Sequence, residues 1–161
     1  MTRREVPLDA GRILEALAAH AVEYTLIGGL AVQAHGHTRT TQDVDLVPAP
    51  DPANLERLEA ALSSLRARPA GRPDDARQGP LDLGSRPVTS LDTDAGGVDV
   101  HLAPPGAAPY EALRRRALVI ALRGLEIPVA SRDDLISMKR ASGRPVDRGD
   151  VLALTASRPE T

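Results

Sequence analysis

The chain has 161 residues, of which 42% are hydrophobic and 26% charged, with a formal net charge of −2 and no cysteine. That length suits one domain over residues 1–161 with a sizeable core; the missing cysteines exclude disulfide and thiolate chemistry, and the slight negative charge argues against a broad electrostatic grip on nucleic acid. Phe and Trp are absent and only Tyr24 and Tyr110 are aromatic, so base stacking on aromatic platforms is nearly unavailable; no apolar run is long enough to span a membrane and no signal-peptide core follows the charged start, which fits a cytoplasmic protein.

Residues 8–21 place Leu8, Ile13, Leu14, Leu17 and Ala18 at helical spacing, with Asp9 as N-cap. His20 sits near the helix end, where it favours the dipole. A strand over 23–28 then runs into Gly28-Gly29, followed by a short helix from Leu30 to His35 and a polar turn from Gly36 to Thr41. Glycine lets the backbone approach a ligand closely, and a helix that starts just after the pair aims free N–H groups at an anion. Asp43-Val44-Asp45-Leu46-Val47 alternates as a strand does, so Asp43 and Asp45 share one face. Two carboxylates that close repel unless a cation sits between them, and oxygen donors suit Mg²⁺. Arg39 is read as a partner for a phosphate or for Asp43, four residues on, with a solvated turn arginine as the other reading. His35 and His37 lack a nearby third ligand, which argues against zinc.

Asp51 and Pro52 give a clean start to a helix over 51–67. Residues 66–85 are rich in Pro, Gly and charge and read as a flexible loop. A hairpin follows, with strands at Arg86–Thr93 and Val98–Leu102 around a turn at Asp94–Gly97. On its second strand Val98, Val100 and Leu102 share one face, and Asp99 and His101 the other. An aspartate in a β-branched strand is locally disfavoured; Asp92 competes with Asp99 but lies nearer the turn, where it is expected to face solvent. Residues 109–117 form a short helix carrying Arg114-Arg115-Arg116. A second hairpin turns at Arg123-Gly124, and Ser131 caps a helix through SRDDLISMKRAS in which Leu135, Ile136 and Met138 point inward. Arginine occurs nineteen times and lysine once, at Lys139 in that helix, which singles Lys139 out. Asp147 and Asp150 are read as preceding a last helix.

The pattern of a hydrophobic residue, Gly28-Gly29, thirteen residues (Leu30 to Gln42) and Asp43-x-Asp45, with Arg39 and Thr41 between, resembles the signature of the nucleotidyltransferase superfamily with the polymerase-β-like fold. GGLAVQAHGHTRTTQDVDL is most similar to the small bacterial branch that holds abortive-infection type toxins and aminoglycoside and lincosamide nucleotidyltransferases, and DDLISMKRASGRPVDRGDV is similar to that branch's C-terminal pattern. The resemblance implies an α+β fold, a mixed sheet flanked by helices. It implies transfer of a nucleoside monophosphate from a nucleoside triphosphate to an acceptor hydroxyl, on tRNA or another macromolecule, or on a small molecule. It places the third carboxylate at Asp99, giving catalytic and metal-binding roles to Asp43, Asp45 and Asp99 with two Mg²⁺ ions, and nucleotide contacts to Gly28, Gly29, Arg39, Thr41 and Lys139. Where many superfamily members carry Ser after the first glycine, this chain has Gly29. An antitoxin partner or a homodimer is implied as well. A non-catalytic relative of the same fold is the third reading, opposed by the presence of all three carboxylates.

Overall fold

A computed structural model of the chain describes residues 6–72 and 80–156. Among the described residues the elements run α1 (Ala10–Ala19), β1 (Tyr24–Ile27), α2 (Gly28–Ala34), β2 (Asp43–Pro48), α3 (Pro52–Ser64), β3 (Arg68–Pro69), β4 (Val88–Thr93), β5 (Gly96–His101), α4 (Tyr110–Arg115), β6 (Leu118–Leu122), β7 (Leu125–Val129), α5 (Arg132–Ser142) and α6 (Pro145–Ala156). The strands form one mixed sheet in the order β3-β4-β5-β2-β1-β7-β6, which is the expected α+β arrangement. No described helix is long and apolar enough to cross a membrane.

Local chemistry sets the helix starts. Asp9 accepts from the Arg12 N–H, Asp51 from the Asn54 N–H with Pro52 in the first turn, and Ser131 from the Asp134 N–H. Each cap satisfies a backbone donor that the helix itself leaves unpaired. Gly143, at φ 66, ends α5 in the left-handed conformation that glycine adopts at least cost. Asn54 is fully buried and ties α3 to the sheet: its Oδ1 accepts from the Glu23 N–H at 2.8 Å, and its Nδ2 donates to the carbonyls of Glu23 and Ala49 at 2.8 and 2.9 Å.

The core forms where the alternating strands turn their apolar faces to α1 and α3. Val44, Leu46, Val98 and Val100 are fully buried, as are Ile13, Leu17, Leu58 and Leu62. Because side chains alternate along a strand, the same geometry sends Asp43, Asp45, Asp99 and His101 to the opposite face, where each is half-buried. β2 runs antiparallel to β1 but parallel to β5, so Val44 lies beside Val98 and Asp45 beside Asp99.

Several expectations need correction. Residues 66–85 do not form a plain loop: Arg68 and Pro69 pair with Asp92 and Leu91 of β4, Leu83 is buried, and the Leu81 N–H donates to Glu59 at 3.1 Å. Residues 73–79 of that stretch lie outside the described residues. The first hairpin turn is tighter than expected, because Thr93 pairs with Gly96 and leaves only Asp94 and Ala95 between the strands. Thr93 holds this turn, its Oγ1 donating to the Gly96 carbonyl at 2.6 Å and accepting from the Ala95 N–H at 3.0 Å. Asp147 and Asp150 lie inside α6 rather than ahead of it, since Pro145 opens the helix and Gly149 does not interrupt it. Proline costs nothing in the first turn, where its missing N–H has no partner to lose.

Candidate active site

The sheet face opposite the core carries a cavity of about 710 Å³. Its wall includes Gly28, Gly29, Arg39, Thr41, Asp43, Asp45, Asp99, His101, Lys139, Arg144 and Asp147. All eight residues singled out from the sequence therefore line one space, although they come from α2, the turn after it, β2, β5 and α5.

Acidic side chains cluster on one side. Asp45 and Asp99 are direct neighbours on parallel strands. His101 lies two residues beyond Asp99 on the same face, and its Nε2 is 2.9 Å from Asp45 Oδ1. One ligand atom each from Asp45, Asp99 and His101 lie within 4.8 Å of one another. Asp43, one pleat along β2, borders the same cavity without joining that group. His101 was visible in the sequence as sharing a face with Asp99, but its approach to Asp45 depends on the parallel β2–β5 pairing, which no local pattern announces. His35 Nε2 instead donates to the Ala130 carbonyl at 2.9 Å, a structural hydrogen bond.

Basic side chains form the other wall. Lys139 is 6% exposed, and its Nζ lies 3.2 Å from Asp147 Oδ1 and 3.1 Å from Asp150 Oδ2. Asp150 Oδ2 also meets Arg39 Nη1 at 3.3 Å, so this one carboxylate bridges the turn before β2 and helix α5. Arg144 Nε donates to Asp147 Oδ2 at 2.8 Å. Burial pushes the Asp147 carboxyl up, but hydrogen bonds from Arg144, Ser142 and Lys139, with the Lys139 charge, outweigh it and hold Asp147 well below the usual carboxylate range. Three cations against two carboxylates leave this wall net positive. Arg39 Nε is also buried with no hydrogen-bond partner among the described residues, a costly state for a donor in a protein interior.

The glycine pair first makes room for protein side chains rather than for a ligand. A Cβ at Gly28 would collide with the Asp45 carboxylate, and one at Gly29 would lie 2.5 Å from Arg39 Nη1 and 3.1 Å from Thr41 Oγ1. Gly28 also has φ +73, which disfavours any residue with a Cβ. Gly28→Ala is accordingly expected to cost about 1–3 kcal/mol and to displace Asp45. Thermal unfolding measures the first effect, and an unchanged midpoint would show that this contact is slack. Thr41 Oγ1 donates to the Asp43 carbonyl at 3.1 Å, fixing the start of β2.

Two expected features fall elsewhere. Asp92 is half-buried instead of facing solvent, with Oδ2 accepting from the Gly71 N–H at 3.1 Å, and it is not part of the cavity wall. The arginine run is likewise off the cavity: Arg116 donates to Asp134 at 2.5 and 3.0 Å, a bond that raises its already high pKa.

No curated protein matches the sequence. Among solved structures, the lincomycin-bound lincosamide antibiotic adenylyltransferase LnuA shares the fold at a TM-score of 0.63 and 15% identity, over 93% of this chain and 98% of that one. The antibiotic-resistance factor ANT(2'')-Ia gives 0.60 and 18% identity over 91% and 80%. A putative nucleotidyltransferase from Thermotoga maritima gives 0.55 and 16% over 92% and 94%. Residues 12–142 match the family model of the nucleotidyl transferase AbiEii toxin, type IV toxin–antitoxin system. With that match spanning most of the chain, the protein belongs to the AbiEii toxin family and is a nucleotidyltransferase.

Proposed function

We propose that the cavity binds a nucleoside triphosphate with a divalent cation and passes its nucleoside monophosphate to an acceptor hydroxyl, releasing pyrophosphate. The observation that carries this reading is the division of the cavity into an acidic side, Asp43, Asp45 and Asp99, and a net positive side that includes a buried Arg39 N–H without an acceptor. A triphosphate needs both: donors for its oxygens and carboxylates for its counter-ion.

The donor set fits a metal, because Asp45, Asp99 and His101 already hold ligand atoms within 4.8 Å of one another and face the cavity. Asp43 and Asp45 would hold the ion that accompanies the nucleotide, Mg²⁺ by the resemblance, and Asp99 with Asp45 a second. Bound there, a divalent ion neutralises phosphate charge and lowers the pKa of a coordinated hydroxyl. The remaining work falls to the chain. Asp99 accepts the acceptor's proton. Arg39 and Lys139, held side by side by Asp150, stabilise charge developing on the leaving pyrophosphate. Gly28, Gly29 and Thr41 bring those groups close enough to act on one phosphate chain, and the pairing with Asp147 and Asp150 fixes the cations in advance, so they need not reorganise during transfer.

Isothermal titration is expected to show nucleoside triphosphate binding that requires a divalent cation and is lost in the Asp43→Ala/Asp45→Ala double variant. Equal binding by a double variant of unchanged stability would remove the site.

The family description, a toxin of a toxin–antitoxin system, supports an antitoxin as genetic partner; for the acceptor, the resemblance favours tRNA or another macromolecule. A small-molecule acceptor is the second reading, favoured by one observation: Arg114, Arg115 and Arg116 do not border the cavity. Labelled nucleotide offered with total RNA, or with aminoglycosides and lincosamides, separates the two by which class becomes labelled.

A further inference from the structure

The geometry points to His101 as a nitrogen ligand of the divalent ion held by Asp45 and Asp99, which makes that position selective for a first-row transition ion such as Mn²⁺ over Mg²⁺. The inference rests on the proposed metal-dependent reading of the site and goes beyond it by naming a donor and a class of ion.

Three features support it. His101 Nε2 lies 2.9 Å from Asp45 Oδ1, so the ring nitrogen already occupies the space around the carboxylate to which a cation would bind. Asp99 and His101 are two residues apart on β5, and Asp99 is in register with Asp45 on β2. The sheet backbone therefore fixes all three donors, and no loop has to close to assemble them. Each of the three is half-buried at the cavity wall, accessible to an ion yet shielded enough to hold one.

The donor chemistry then decides the ion. Two carboxylates alone suit Mg²⁺, a hard cation that takes oxygen ligands and gives up its waters reluctantly. Imidazole is a softer donor, and its contribution favours transition ions over Mg²⁺. Asp43 lies outside the group, so an ion held between Asp43 and Asp45 would see only oxygen from these side chains. The two ion positions of the site thus differ in kind, with mixed nitrogen and oxygen donors on the Asp99 side and oxygen alone on the Asp43 side. The alternative role for His101 is a hydrogen bond that orients Asp45 without touching metal.

Binding of the metal alone distinguishes these roles and does not depend on any nucleotide or acceptor. Mn²⁺ titrated into the protein is expected to lose its free electron paramagnetic resonance signal, and pulsed measurements on the bound ion are expected to show coupling to a ¹⁴N nucleus of imidazole. His101→Gln keeps a hydrogen-bond donor near Asp45 but supplies no imidazole. It is expected to abolish that coupling and weaken Mn²⁺ binding on the order of tenfold, with Mg²⁺ affinity held within a factor of about three. His101→Glu, which offers a charged oxygen, is expected to move the preference toward Mg²⁺. Bound Mn²⁺ without ¹⁴N coupling in the unsubstituted protein, or an unchanged Mn²⁺ to Mg²⁺ ratio in His101→Gln, would assign His101 to the orienting role and overturn the inference. The wild-type spectrum decides the matter even if neither variant folds. A protein that binds Mn²⁺ through His101 but takes up no nucleotide would leave this inference standing and remove the nucleotide reading instead.

Discussion

Asp99→Asn is expected to lower turnover on the order of 10²–10⁴-fold, the range for losing a general base, with little change in nucleoside triphosphate affinity. Asn keeps the size and much of the hydrogen-bonding capacity of Asp99 but lacks its charge. The interactions lost are those made chiefly as the acceptor attacks, so kcat falls while ground-state nucleotide binding holds. Asp45 lies beside Asp99 and contacts His101, and in the proposed scheme it is shared by both ion positions, so Asp45→Asn should weaken binding and turnover together. Asp92→Asn is the control. Asp92 is off the cavity, where its carboxylate accepts from the Gly71 N–H, so the substitution should alter stability modestly and chemistry little. Pyrophosphate release measured alongside nucleotide titration separates these cases. A fully active Asp99→Asn, or an inactive Asp92→Asn, would mean that the third carboxylate has been placed on the wrong strand.

Asp147→Ala is expected to destabilise the fold by about 3–5 kcal/mol, the usual cost of stranding a buried charge by deleting its partner. Asp147 is fully buried, and it accepts from Lys139 Nζ at 3.2 Å and from Arg144 Nε at 2.8 Å. Its removal leaves the Lys139 ammonium, itself buried, with Asp150 alone. The pH dependence has a definite sign. Because the folded carboxyl is held below its ordinary value of 3.8, the stability it contributes is present in full above that value. It is lost as pH falls from there toward the lower folded pKa. Urea unfolding of the native chain should therefore steepen its decline below about pH 4, and Asp147→Asn should flatten that decline. Identical acid profiles for the two proteins would show that the network contributes no linked stability.

The sequence was most legible where one short segment holds all the information. Asp9, Asp51 with Pro52, and Ser131 cap their helices as read, because a cap involves residues three positions apart. The shared face of Asp43 and Asp45 follows from the strand period alone. Legibility ended where partners are distant. Arg68-Pro69 carries almost no strand signal of its own and becomes a strand only because β4 offers an edge. The bridge from Asp150 to both Arg39 and Lys139 joins three separate segments. The start of the last helix was also misplaced: it was expected after Asp150, yet α6 already runs from Pro145. His101 was seen beside Asp99 but not beside Asp45, for the same reason of distance.

The parallel pairing of β2 with β5 also governs when the site comes into existence. Asp45 and Asp99 belong to strands separated by a helix and two further strands, and β1 meets β7 where Leu26 pairs with Val129, far along the chain. Contacts between such remote segments are slow to form, because the loop between them must be closed before the pairing rewards it. A nascent chain that has emerged only through β2 carries Asp43 and Asp45 but no Asp99, His101 or Lys139. Its carboxylates have neither the neighbour nor the opposing cations that turn them into a site. The carboxylates and the opposing cations therefore share one cavity only once β5 and α5 have joined β2.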